Sequence, residues 1–146
     1  YTVLYFGSIL PLQGVDIVLE AAERLKDRTD ICFYIIGPIG EKMTKPSGPN
    51  IHYIQWLSQD KLSDYIAFSD LCLAGHFNRE INKAKRTIPG KAYIYRAMEK
   101  PMILGENPAN HELYSEKEPG ISFVEMGSGK KLAEKILECR DRWSRR

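Results

Sequence analysis

The chain has 146 residues, 43% of them hydrophobic, enough for one domain with a sizeable core. Its 21 Lys and Arg against 19 Asp and Glu leave a net charge of +2, too balanced for a general nucleic-acid binder. Three cysteines without a CxxC spacing, Cys32, Cys72 and Cys139, suit neither a disulfide framework nor zinc, and point to a reduced cytoplasmic setting.

Apolar runs rich in β-formers alternate with amphipathic helical patterns along the whole chain. Residues 2–6 read as a strand, and 15–26 as a helix with Val15, Val18, Leu19, Ala22 and Leu25 on one face. A buried strand over 30–36 stops at Gly37-Pro38-Ile39-Gly40, and a polar loop with Pro46, Gly48 and Pro49 follows. The spacing predicts a strand over 50–54, a helix over 59–68 capped by Ser58, and a strand over 70–74. A long basic loop then leads into a helix over 89–98 opened by Pro89. A strand over 101–104, a short helix over 108–115, a strand over 121–124 and a closing helix over 129–143 complete the chain.

Such alternation of nearly all-apolar strands with helices predicts a parallel sheet covered on both faces. With right-handed crossovers it becomes a doubly wound, Rossmann-like α/β domain of about six strands, helices on both faces. Ligands of these sheets sit beyond the carboxyl ends of the strands. Those ends are the segments 7–14, 37–40, 55–58, 75–90, 105–112 and 125–128. No apolar run is long enough to span a bilayer. The chain opens on Tyr1 rather than Met and runs straight into a strand, so it is expected to be a piece of something longer.

Basic residues gather over 79–91 and again over 140–146, the latter reading as a solvated helix end. The first cluster feeds a helix start, a physical recipe for binding phosphate. The first N–H groups of a helix have no partner within it, and its dipole favours negative charge. Pro89 suits that first turn, Gly90 lets a ligand approach the backbone, and Arg86 and Lys91 flank it with charge. No GxxxxGK[ST] is present, which excludes a P-loop, and no GxGxxG follows the first strand. That strand is followed instead by Gly7-Ser8-Ile9-Leu10-Pro11-Leu12-Gln13-Gly14. Its glycines let the loop pass close beneath a ligand, while Ser8 and Gln13 offer uncharged hydrogen bonds.

Taken in order, FGSILPLQGVDIVLEAAERL, FYIIG, NIHYIQWLSQDKLSDYIAFSDLCL and IPGKAYIYRAMEKPMILGENPANHEL resemble the C-terminal, donor-binding half of retaining GT-B glycosyltransferases of the family 4 group. The resemblance covers essentially the whole chain. In that family the first loop reads Gly-Arg-x4-Lys-Gly, and its Arg and Lys bind the donor diphosphate; Ser8 and Gln13 stand at those places here. A Glu-x7-Glu landmark, whose second Glu binds the ribose, aligns with Arg86 and Ile94. A subset of the family that shares KAKRxIPxK also replaces these residues.

The resemblance implies a nucleotide-sugar donor held by Gly7, Ser8, Gln13, Gly14, Arg86, Pro89, Gly90 and Lys91, with no cofactor and no metal. It also implies an N-terminal acceptor domain that is absent from this chain, peripheral membrane association of the full enzyme at most, and no transfer by the fragment alone. Arg86 and Lys91 would replace the lost cations, since a buried diphosphate left without cations costs several kcal/mol. The other reading of Lys83, Lys85 and Arg86 is a solvated loop. Trp56 either packs against the nucleobase or fills the rim. Glu112 matches a family Glu near the donor sugar, and is otherwise an acid at a helix terminus. His76 and His111 fall at the ligand edge without metal-ligand partners at a sensible spacing, and His52 reads as structural. Two other classes stay open: a degenerate, non-catalytic ligand- or partner-binding module, and a free-standing flavodoxin-like or receiver domain.

Overall fold

The computed structural model describes residues 1–7, 14–39, 43–79 and 89–144. Six strands form one parallel sheet: β1 (Thr2–Phe6), β2 (Cys32–Ile36), β3 (Ile51–Ile54), β4 (Leu71–Gly75), β5 (Met102–Gly105) and β6 (Ile121–Val124). Their order is β3-β2-β1-β4-β5-β6, and every neighbouring pair is parallel. The chain builds outward from β1 to β3, then returns to place β4 against β1, with Leu4 opposite Cys72. Where the strand order reverses, the helices that follow β1 and β4 pack on opposite faces of the sheet, which leaves a crevice at the strand ends.

The helices are α1 (Val15–Arg24), α2 (Gln59–Phe68), α3 (Gly90–Ala97), α4 (Pro108–Leu113) and α5 (Gly129–Ser144) among the described residues. Each element expected from the sequence forms, its ends displaced by no more than one or two residues. Ser58 caps α2, its hydroxyl accepting from the Lys61 amide at 3.4 Å. Pro89 sits just outside α3 in an extended conformation, so the helix proper opens on Gly90.

Strand alternation divides the core in two. Val3, Tyr5, Phe33, Ile35 and Leu73 join Val18 of α1 and Leu132 and Ile136 of α5 on one face. Leu4, Ile36, Cys72 and Leu104 join Ile66 of α2 and Ala92 and Tyr95 of α3 on the other. Because α1 packs against α5 as well as the sheet, Ile17 and Ala21 are buried beyond the stripe read from its periodicity. All of β4, β5 and β6 is buried, as a sheet with two covered faces requires.

Candidate functional site

The carboxyl ends of β1, β2 and β3, the residue after β4 and the start of α3 enclose a cleft of about 440 Å³. Its floor is backbone. Gly37 has φ 122°, and a Cβ there would collide with the Gly7 carbonyl, so the two strand ends close on each other without side chains between them. The Gly7 amide donates to the Ile36 carbonyl at 3.0 Å, and the Gly37 amide to Ile54 at 2.8 Å.

One wall is the N-terminus of α3. No described side chain caps this helix, and its first turn carries no acid. A Cβ built on Gly90 would meet nothing within 4 Å, so the backbone faces open space in the cleft. An uncapped helix start exposed in this way favours an anion.

Lys91 is the next residue and is only 6% exposed. Its Nζ lies 4.6 Å from the Tyr5 ring centroid and 5.8 Å from that of Phe6. Burial among these rings pushes the ammonium down to about 7, because a charge is poorly solvated there. Burial pushes the Tyr5 phenol up, with Asp16 adding to the effect. His76, buried at the end of β4, lines the same cleft. Trp56 stands on the rim, 78% exposed.

Of the residues singled out from the sequence, Gly7, Trp56, Pro89, Gly90 and Lys91 therefore line one cleft. Ser8, Gln13, Lys83 and Arg86 lie outside the described residues. Gly14 does not line the cleft: at φ 76° it packs under Phe77, whose Cβ would be 2.7 Å from an added methyl, and so seats the start of α1. Glu112 is exposed on α4, away from the cleft lining. His111 is also on α4, its Nε2 2.6 Å from Glu106 and its ring stacked on Phe123. His52 stacks on Tyr34, on the α2 face of the sheet where Tyr34 also meets Tyr65, and does not line the cleft.

Asn110 went unnoticed in the sequence. Fully buried, its Nδ2 donates to the Gly105 carbonyl at 2.8 Å and to Gly75 at 3.3 Å, tying the ends of β4 and β5 together. Asn107 caps α4 by accepting from the Asn110 amide at 2.9 Å. The Asn-Pro pair predicts that cap, but nothing local reveals the second asparagine's reach across two strands. Gly105 completes this corner, since a Cβ there would strike the His76 carbonyl.

Another cavity, of about 310 Å³, lies among Tyr1, Glu118, Cys139 and Trp143 at the amino ends of β1 and β6. Helices present their carbonyl ends at that edge, the wrong polarity for phosphate. Among the described residues no group of three His, Cys, Asp or Glu could hold a metal ion, and no helix is long and apolar enough to cross a membrane.

A six-stranded parallel sheet with a cleft at its switch point defines a doubly wound, Rossmann-like α/β domain. Within that class, the sequence matches glycosyl transferases group 1 over residues 1–141, and the chain belongs to this family. No curated protein matches it. The structure is similar to the HepE protein of Anabaena solved with UDP and glucose (TM-score 0.68, 14% identity, 97% of this chain and 39% of that one). It is also similar to the C-terminal domain of the group 1 glycosyl transferase LpcC from Francisella tularensis (TM-score 0.70, 18% identity, 97% and 75%). A third likeness is to a putative UDP-N-acetylglucosamine 2-epimerase from Listeria monocytogenes (TM-score 0.63, 12% identity, 96% and 37%). The fold is that of the C-terminal half of a GT-B enzyme, and the chain spans about two fifths of the HepE chain it matches.

Proposed function

We propose that this chain is the donor-binding half of a retaining glycosyltransferase, holding a nucleotide-diphosphate sugar in the cleft at the end of β1. The observation that carries this reading is the uncapped start of α3, with Gly90 open to the cleft and Lys91 beneath it. Family membership and the UDP complexes of HepE support it. The diphosphate would lie against the α3 N-terminus with Gly7 below it and the base on Trp56. Ser8, Gln13 and Arg86 would supply the hydrogen bonds and charge expected of them from the sequence, and Gly14 would only seat the start of α1. Glu112, exposed on α4, would lie near the donor sugar.

As the glycosyl bond breaks, charge grows on the leaving diphosphate. Backbone N–H groups of Gly90 and Lys91, the helix dipole and nearby cations stabilise that charge without a metal, an electrostatic form of catalysis. The acceptor, a glycan or a lipid-linked acceptor, would be presented by an N-terminal domain across the cleft, in a cytoplasmic enzyme that touches membranes at most peripherally. The chain alone then binds donor and transfers nothing.

Calorimetric titration with nucleoside diphosphates tests this. UDP or another nucleoside diphosphate is expected to bind and to raise the melting temperature. Arg86→Ala should weaken that binding by roughly ten- to a hundred-fold, the range of a charged hydrogen bond, and Lys83→Ala much less. Absence of binding by every nucleoside diphosphate at millimolar concentration would replace the donor reading with that of a degenerate partner-binding module.

A further inference from the structure

The two ends of the cleft differ in what they can recognise. At the α3 end an anion meets a helix start, with Gly90 open to it. At the other end, where β2 and β3 stop, a base would meet Pro38, Gln55, Trp56 and Leu57. We propose that this end holds a nucleoside diphosphate by stacking and does not select the base, so that the cleft takes purine and pyrimidine diphosphates with similar affinity. The inference rests on the donor reading for the presence of a base; what it adds is how little of that base is read.

Reading a base requires donors and acceptors fixed against its edge, and the strand ends supply few. The Gly37 amide is already committed to the Ile54 carbonyl at 2.8 Å, and the Gly7 amide to Ile36 at 3.0 Å. Pro38 has no amide hydrogen at all. Ile36, Leu57 and Leu62 present only hydrocarbon side chains, while His76 and Lys91 enter from the β4 and α3 side. Among the described residues, the hydrogen-bonding side chains left at the base end are those of Gln55 and Trp56.

Neither discriminates between bases. A Gln amide carries an acceptor and a donor side by side, and turning it over exchanges them. Every base offers such a pair on its edge: uracil N3–H with O4, cytosine N4–H with N3, guanine N1–H with O6, adenine N6–H with N1. Strong rejection of a wrong ligand comes from buried polar groups that it leaves unpaired. Gln55 is exposed, so water satisfies it whichever base is bound. The Trp56 indole N–H lies in the plane of its ring and does not reach the edge of a base stacked on the ring face. That ring is 78% exposed and makes no ring contact among the described residues. Stacking on it is tolerant, because every base has a π-face.

The test is calorimetric titration of the 146-residue chain with UDP, CDP, ADP and GDP, and with inorganic pyrophosphate as the probe that lacks a base. The four nucleotide dissociation constants should fall within about tenfold of one another, purines at least as tight as pyrimidines, with pyrophosphate weaker than all of them. Trp56→Ala should move all four toward pyrophosphate by a similar factor and leave pyrophosphate itself unchanged. Gln55→Ala should lower all four alike. Both side chains are exposed, and thermal melts check that the variants fold. One base bound more than about tenfold tighter than another, or a Gln55→Ala loss confined to one base, overturns the inference and leaves the donor reading standing. Pyrophosphate binding as tightly as the nucleotides also overturns it, since no base is then held. No binding by any nucleotide removes the donor reading and the inference together.

Discussion

Lys91 Nζ lies 4.6 Å above the ring of Tyr5, reaching from α3 on one face of the sheet to a side chain that packs with α1 on the other. The contact spans the end of β1, at the point where the strand order reverses. A cation over an aromatic ring gains about 0.5–2 kcal/mol, while burial among these rings lowers the lysine's pKa. Taking the ammonium out of water therefore carries a desolvation cost in the free protein.

That cost has a sign in pH. The folded-state pKa of Lys91 lies near 7, below its ordinary value of 10.5, so between those values the unfolded chain binds more protons than the folded one. Stability should rise as pH increases from about 7 and level off as the unfolded value is approached. Lys91→Met removes the titration. It should be more stable than wild type by on the order of a few kcal/mol near pH 6.5, and the gap should narrow by pH 9.5. Melting temperatures of both proteins across that range check this. Above pH 10 buried phenols such as Tyr5 and Tyr95, whose pKa values are raised, begin to oppose folding, so the comparison stops below it. A wild-type profile parallel to that of the methionine variant would mean that the amine reaches water.

Gly90 separates stability from binding. A Cβ at this position meets nothing, and its φ is not in the left-handed region, so Gly90→Ala should stabilise the free protein by about 0.5 kcal/mol through a lower unfolded-state entropy. The same methyl would stand where a phosphate approaches the backbone, and should weaken UDP binding about tenfold or more, the equivalent of one lost hydrogen bond to a charged group. Thermal melts and calorimetry read the two effects separately. Unchanged affinity would move the ligand off this helix start.

Asn110 carries the scaffold of the cleft rather than its chemistry. Asn110→Ala leaves the carbonyls of Gly75 and Gly105 without its amide and should cost about 1–3 kcal/mol in urea unfolding. The end of β4 positions His76, so this variant should also lower ligand affinity at temperatures where it remains folded. A loss under 0.5 kcal/mol would show that water replaces the side chain.

Trp56 is so exposed that removing it should leave stability within about 0.5 kcal/mol. If the nucleobase stacks on it, Trp56→Ala should weaken UDP binding by about 1–3 kcal/mol, the usual range for a base on an aromatic ring. Trp143, at the opposite edge, packs against Tyr1 at 5.4 Å, so quenching of tryptophan fluorescence by UDP should vanish in the variant. Quenching that persists would assign the base to another wall.

The alternation of strands and helices, the parallel sheet and the edge at which the cleft opens were all legible in the chain. Each depends on local facts: β-branched and aromatic runs, 3.6-residue periodicity, and glycine or proline at the turns. The gathering of Gly7, Pro89 and Gly90 at one edge follows from the same grammar, because every loop after a parallel strand leaves on the same side. Which of those loops meet was decided by the return of the chain to set β4 against β1. That pairing, with Leu4 opposite Cys72, joins segments far apart in sequence and has no local signature. It draws Lys91 out of water and over Tyr5, and commits Gly14 to packing beneath Phe77. It also lets Asn110 reach two strand ends at once, while Glu112 stays exposed on α4 outside the cleft lining. Charge, size and helix position are properties of a residue and its neighbours in the chain. Burial, and with it the free energy of holding a proton, belongs to the surroundings that only the folded sheet assembles.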